Sequence, residues 1–326
     1  MESKTKNRKT RDQIKPMVAR AFDGMVLVNS ADAVIELKDG WFNAVYEIKL
    51  ADGRKVILKI APPKSVEIMS YEKNIISTEV AVMRLVHENQ EIPVPEIYFY
   101  DDTCNVCDSA YFFMEKINGD NLADVNASLV KGMKESIERQ IGEIIREING
   151  FPGPYFGYDG NPDLQAKTWN KAFIKIMESL LEDAARKEVV FDFSYDELRS
   201  VLLNHAPALN EISKPCLVHW DGWNPNFFIK DGKIVGLIDF ERALWADPLM
   251  EAHFRPLFRG EGVNNSMQGY GKTSFTSAEE QRCHLYSLHL GLVMNIECYY
   301  RNYDTDEIFN LSRQLMKKTM CWLQEN

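Results

Sequence analysis

The chain is read most directly from Leu217-Val218-His219-Trp220-Asp221-Gly222-Trp223-Asn224-Pro225-Asn226 and the later Leu237-Ile238-Asp239-Phe240. The spacing is H-x-D-x-x-x-x-N, and thirteen residues beyond Asn226 an acid ends an apolar run. A lone carboxylate, an amide and a second carboxylate are thereby gathered around one point. An aspartate can accept the proton of an alcohol, while an asparagine and another aspartate can hold a Mg²⁺ ion. Phosphoryl transfer from a nucleotide to a hydroxyl needs that set. The plain alternative is a buried polar loop beside a hairpin, which would not require the acid downstream.

The surrounding pattern supports the first reading. Pro215 to Val218 enters the loop as a short apolar run, and Phe227-Phe228-Ile229 leaves it. Asp231-Gly232 then turns the chain, and Lys233 to Ile238 returns. Asp-Gly between two apolar runs predicts a β-hairpin. The hairpin brings Asp239 back toward Asn226, so the two candidate metal ligands share one end of it.

With those residues in view, Leu217 to Glu251 resembles the aminoglycoside phosphotransferase family. These are small-molecule kinases with a protein-kinase-like fold, whose relatives include choline, homoserine, fructosamine and macrolide kinases. The matching residues run from Val218 to Asn226, then Leu237 to Ala243, then Ala246-Asp247-Pro248. The family usually has glycine where this chain has Trp220. Residues 30 to 120 resemble it more weakly, and beyond Glu251 the likeness fades.

Composition is compatible with this. The 326 residues are enough for two lobes with cores of their own, and 45% hydrophobic with 26% charged residues is ordinary for a globular protein. No apolar run reaches the length of a membrane span, and no hydrophobic signal region opens the chain. The net charge of −10 argues against a nucleic-acid binder. The basic residues Lys4, Lys6, Arg8, Lys9 and Arg11 read as a solvated tail. Six scattered cysteines, with a lone Cys104-x-x-Cys107 that has no further ligands nearby, fit a reduced cytoplasmic protein without structural zinc. A monomer or homodimer is expected, with a small-molecule hydroxyl acceptor as its partner and neither nucleic acid nor membrane.

The first third is strand-rich. Val34 to Lys38, Val45 to Leu50 and Val56 to Ile60 are β-like runs, a helix is expected over about Ser65 to Glu88, and Glu96 to Tyr100 and Ala110 to Glu115 complete five strands. The remainder reads as helical, with capping boxes at Ser194, Thr276 and Asp304. The predicted class is α+β: a bilobal, protein-kinase-like fold. Its N-terminal lobe, residues 1–117, carries a five-stranded antiparallel sheet with one helix and binds the nucleotide. Its C-terminal lobe, residues 118–326, is mainly helical, contains the catalytic hairpin and receives the acceptor.

Lys59 lies in the apolar run Val56-Ile57-Leu58-Lys59-Ile60, where a lysine is costly to bury without an anionic partner. Contact with nucleotide phosphates answers that cost; snorkelling from an edge strand is the bland alternative. The resemblance implies Glu79 as the acid that holds Lys59, with Glu72 the runner-up. It also implies a G-x-x-N-x-x-Y phosphate-covering loop at Gly40 to Tyr46, in which Asn43 faces phosphate. The backbone of Glu115 to Ile117 would read the adenine edge. Cofactors are then ATP, with GTP an open alternative, and Mg²⁺ held by Asn226 and Asp239. Asp221 would be the catalytic base, His219 a structural residue, and Asp247 a cap for the following segment.

A protein kinase is excluded, because H-R-D, D-F-G and A-P-E are absent and the segment from Asp239 to Pro248 is short. A catalytically inactive nucleotide-binding module would have no use for the intact Lys59, Asp221, Asn226 and Asp239. The acceptor is expected to be a small hydroxylated molecule bearing an amine, lying over the helices after Glu251. The first eleven residues carry +4, so the rest carries −14 and should attract cations. Glu251 and Glu297 are the expected amine contacts. Antibiotic resistance and a housekeeping role, of choline, homoserine, ketosamine or macrolide kinase type, both stay open.

Overall fold

A computed structural model describes residues 3–38, 40–259 and 264–326, except the side chain of Phe258. Helix α1 (Arg11–Ala21) opens on a capping box between Thr10 and Gln13 and buries Ile14, Met17 and Val18. Strands β1 (Val34–Leu37), β2 (Ala44–Lys49) and β3 (Lys55–Ile60) follow as a meander. Helix α2 (Ile75–His87) precedes β4 (Ile97–Asp101) and β5 (Tyr111–Glu115). The five strands form one antiparallel sheet in the order β1-β2-β3-β5-β4. One face packs on α1, with Ile48, Leu58 and Phe113 against Ile14 and Val18; α2 and the hairpin segment share a second cluster with Phe112 and Met114.

The helix expected from Ser65 starts ten residues later. Asp183 accepts from both the amide and the hydroxyl of Ser70, and Glu72 accepts from the amide of Met69. These side-chain bonds compete with helical ones, leaving a 3₁₀ turn at Ser70–Glu72. Asn74, left-handed at φ 53°, then sets the start of α2.

The first residues are not a solvated tail. Thr5, Lys6 and Asn7 are buried, and the arm they form crosses the molecule. Lys4 N donates to Arg301 O at 3.3 Å, Thr5 Oγ1 to Trp41 O at 3.4 Å, and Asn7 Nδ2 to Ser109 Oγ at 2.9 Å.

Beyond Lys116–Gly119 the chain forms β6 (Asp120–Asn121), α3 (Leu122–Val125), α4 (Lys131–Ile148), α5 (Trp169–Arg186) and α6 (Tyr195–His205). β7 (Cys216–Val218) enters the loop first quoted above. β8 (Phe227–Lys230) and β9 (Lys233–Leu237) make the predicted hairpin, turning at Asp231 (φ 51°) and Gly232 (φ 76°). Positive φ at both turn residues is the I′ geometry that Asp-Gly favours. β10 (Leu244–Ala246) pairs back on β7, so the chain brackets the loop on both sides. The helices α7 (Pro256–Arg259), α8 (Asn265–Tyr270), α9 (Ser277–Arg301) and α10 (Glu307–Glu325) complete the order. α9 starts at the Thr276 capping box as read. α10 instead has Asp306 at its N-cap, and Thr305 Oγ1 receives the Glu307 amide at 3.0 Å, so Asp304 caps nothing there. Among the described residues no helix is long and apolar enough to cross a membrane.

Candidate active site

Strand β3 is buried from Val56 to Ile60, and Lys59 is only 6% exposed. Its Nζ lies 2.7 Å from Glu79 Oε2, 2.6 Å from Asp239 Oδ1 and 3.1 Å from Glu241 Oε2. Burial opposes the charge, but Asp239, Glu241 and Glu79 outweigh it and hold the ammonium well above its usual range. Glu79 comes from α2, whereas Glu72 is engaged elsewhere, by Arg301. Glu241, which the sequence reading passed over, belongs to the 3₁₀ turn Phe240–Arg242 that follows Asp239. A second charged pair straight after Asp-Phe, in an otherwise apolar stretch, was the available signal.

Asp239 sits at φ 71°, a left-handed turn that lifts its carboxylate off the end of the hairpin. Its strand neighbour Ile238 donates its amide to Asn226 O at 3.0 Å, and Asn226 Nδ2 donates to Asp221 O at 2.8 Å. The two candidate metal ligands and the candidate base are therefore tied by short backbone links. Asp221 is half-buried; burial raises its carboxyl to about 6, with Arg242 and Arg255 pulling down and Asp239 and Glu297 pushing up.

His219 is fully buried. Its Nε2 donates to Ile238 O at 3.0 Å, its ring lies 4.3 Å from that of Phe240, and burial pushes its pKa down to about 4. A neutral imidazole so placed fixes the loop onto the Asp239 strand. Trp220, at the position where glycine is usual in the family, adopts φ 69° and is 2% exposed. The guanidinium of Arg255 lies 4.5 Å from its ring centroid and that of Arg242 lies 5.1 Å away.

Two expected acceptor contacts are corrected by their surroundings. Glu251 is fully buried and accepts from the amides of His219 at 2.9 Å and Trp220 at 3.1 Å, and from Asn149 Nδ2 at 3.1 Å. It straps the loop from behind, helped by Arg255, whose Nη2 donates to the Trp220 carbonyl at 2.9 Å. Glu297 is 3% exposed and engaged by Tyr71 Oη, Arg242 at 2.7 Å and Arg301 at 3.0 Å. Both oxygens of Glu251 are taken by protein donors, and all three partners of Glu297 converge on its Oε1, so both acids serve the internal structure.

The phosphate-loop candidate Asn43 is 3% exposed, and its Nδ2 donates to Glu241 Oε2 at 2.5 Å. Beside it, the Trp41 ring meets those of Trp223 (6.3 Å) and Tyr303 (6.0 Å) edge to face. In the linker, the Glu115 amide donates to Glu96 O at 2.9 Å, and the Ile117 side chain packs where a Cβ on Gly236 would sit. Asp247 caps Leu249 N at 3.1 Å and binds Arg282 and Tyr286, as its expected structural role requires. For a metal, the donor chemistry fits Mg²⁺: Glu79, Asp239 and Glu241 can each bring one hard oxygen within 4.8 Å of the others.

The family model for the phosphotransferase enzyme family, APH, matches residues 33–253. Among curated proteins, a subtelomeric hrmA-associated cluster protein of Aspergillus fumigatus is 31% identical over 125 residues. That match takes in 38% of this chain and 24% of the relative, so the chain matches about a quarter of the relative's length. Among solved structures, a fructosamine-3-kinase candidate from Thermobifida fusca superposes with TM-score 0.68 at 16% identity, covering 97% of this chain and all of that one. A thermostable mutant of aminoglycoside phosphotransferase APH(4)-Ia, in complex with ADP and hygromycin B, gives 0.67 at 14% identity, covering 95% and 98%. The streptomycin–ATP complex of APH(2")-IIa gives 0.61 at 13%, covering 98% and 97%.

Proposed function

The chain belongs to the phosphotransferase enzyme family, and from that premise we propose that it transfers the γ-phosphate of ATP to a hydroxyl of a small molecule. The observation that carries this reading is the convergence on Lys59 of acids from α2 and from the turn after β9, with Asp221 bound through Asn226 to the same turn. In this reading Asp221 orients the acceptor hydroxyl and takes its proton late in the transfer. Asn226 and Asp239 would hold Mg²⁺, which when bound would supply positive charge to the phosphates. Lys59 would turn from Asp239 and Glu241 to a phosphate oxygen, with Glu79 steadying it. Asn43 carries the phosphate-covering loop down onto Glu241, and the backbone of Glu115 to Ile117 lies along the purine. Residues 1–117 serve the nucleotide and residues 118–326 the acceptor.

The acceptor's charge is an open variable of this proposal, since Glu251 and Glu297 are both engaged. Aminoglycosides and ketosamines are included because the neighbouring structures' names point to them. One screen tests the reading: ADP release across aminoglycosides, ketosamines, macrolides, choline and homoserine, with Asp221→Asn as the control. Turnover with one acceptor, lowered roughly 10²-fold or more in the variant, supports it. Turnover that Asp221→Asn leaves within a few-fold of the original chain removes Asp221 from the role of base.

A further inference from the structure

The Lys59 ammonium is within 3.1 Å of one oxygen from each of three carboxylates, and these come from two separate elements, α2 and the turn after β9. The carboxylate oxygens can lie within 4.8 Å of one another, which is a spacing that suits a single small cation. A further oxygen points to the same need. Asn43 donates through Nδ2 to Glu241, while its Oδ1 is buried and has no hydrogen-bond partner. An orphaned buried carbonyl oxygen beside clustered carboxylates is an arrangement that a cation completes.

Lys59 and a divalent ion cannot share this space. Mg²⁺ requires oxygens at about 2.0–2.1 Å, and an ammonium in contact with the same carboxylates would repel it at short range in a buried setting. We propose that Lys59 is the resident counter-ion of Glu79, Asp239 and Glu241 in the nucleotide-free chain. A divalent cation enters only once phosphate oxygens draw the ammonium away. Metal and nucleotide then bind as a coupled pair, and Glu241 joins Asp239 in facing the ion. The nucleotide half of this proposal rests on the phosphotransferase reading; the metal half does not.

The test uses Mn²⁺ as the probe and the whole chain. Binding to the nucleotide-free protein is followed by calorimetry and by the Mn²⁺ paramagnetic resonance signal. The original chain is expected to bind Mn²⁺ only weakly. Lys59→Met, which removes the charge and keeps the length, is expected to bind it at least about 100-fold more tightly, because one buried positive charge no longer opposes the ion. Adding Glu241→Gln to that variant should weaken the gained binding again. Equal Mn²⁺ affinity in the original chain and Lys59→Met overturns the proposal.

Loss of the ammonium could also unfold the chain by leaving two buried carboxylates and a half-buried one together. Thermal unfolding is therefore measured with and without Mn²⁺. A metal-dependent rise in Tm for Lys59→Met, absent in the original chain, supports the proposal. A Lys59→Met chain that stays unfolded at every Mn²⁺ concentration overturns it. Failure of the nucleotide reading would look different: the metal results would stand, but AMP-PNP would not promote Mn²⁺ binding to the original chain.

Discussion

Replacing Trp220 by glycine sets two large effects against each other. The backbone at φ 69° is strained for a residue with a Cβ, and glycine relieves about 1–2 kcal/mol. Removing an indole nitrogen that is buried without a partner returns about 1 kcal/mol more. Against this, the indole is 2% exposed, and deleting so large a buried ring typically costs about 3–5 kcal/mol. Two desolvated guanidinium contacts, at 4.5 and 5.1 Å, add about 1–3 kcal/mol together. The balance is a loss of about 3 kcal/mol, which for a chain of this size lowers Tm by about 6 °C. Urea and thermal unfolding, read by far-UV circular dichroism, measure it. Trp220→Ala keeps the strain while losing the ring, so it should fall a further ~1 kcal/mol below Trp220→Gly. A glycine variant as stable as the original chain would refute the argument, since strain would then outweigh everything the ring contributes.

The other expectations are simpler. Asp221 must be ionised to accept a proton, so kcat/KM should fall as pH drops through about 6 and be full above it. Arg242→Gln should move that limb to higher pH, because Arg242 is the strongest influence pulling the carboxyl down; an unmoved limb in a pH profile refutes the assignment. Asp239→Ala should weaken binding of Mg²⁺–nucleotide and scarcely change binding of metal-free nucleotide, and equal loss of both by calorimetry would mean misfolding instead. Deleting residues 1–9 removes the bonds from Lys4 to Arg301 and from Thr5 to Trp41. Amide exchange at residues 40–43 should then speed up in the nucleotide-free chain, and unchanged protection there would show the arm to be incidental.

What could be read from the sequence follows from how local each signal is. The five strands and the hairpin are set by alternation and by Asp231-Gly232, so their limits came within a residue or so of those observed. Lys59 was legible because a cation inside an apolar strand demands an anion. The start of α2 was not, because Asp183, more than a hundred positions away, dictates the backbone at Ser70. The N-terminal arm was missed for a related reason: Thr5 and Asn7 are buried by hydrogen bonds to distant loops, with no periodic pattern to show it. Glu251 and Glu297 look like any other acids in a list of residues. Their burial is tertiary, although Glu297 four residues before Arg301 on α9 was a local hint of pairing. The overall charge of −14 outside the first eleven residues locates no acceptor contact for the same reason, since it does not say which charges face a cleft.

Phe42, on the connection between β1 and β2, is 3% exposed and lies in the same apolar cluster as Met69, Tyr71 and Ile75 and the interior of α5 and α9. The sheet-bearing part thus lends four side chains to a core that lies mostly outside it. A fragment ending at Ile117 would turn that apolar surface to water and would be expected to aggregate rather than fold. The complementary fragment would carry a hole where Phe42 and Tyr71 belong. Denaturation of the whole chain should accordingly appear as one cooperative event, with sheet and helix signals lost together.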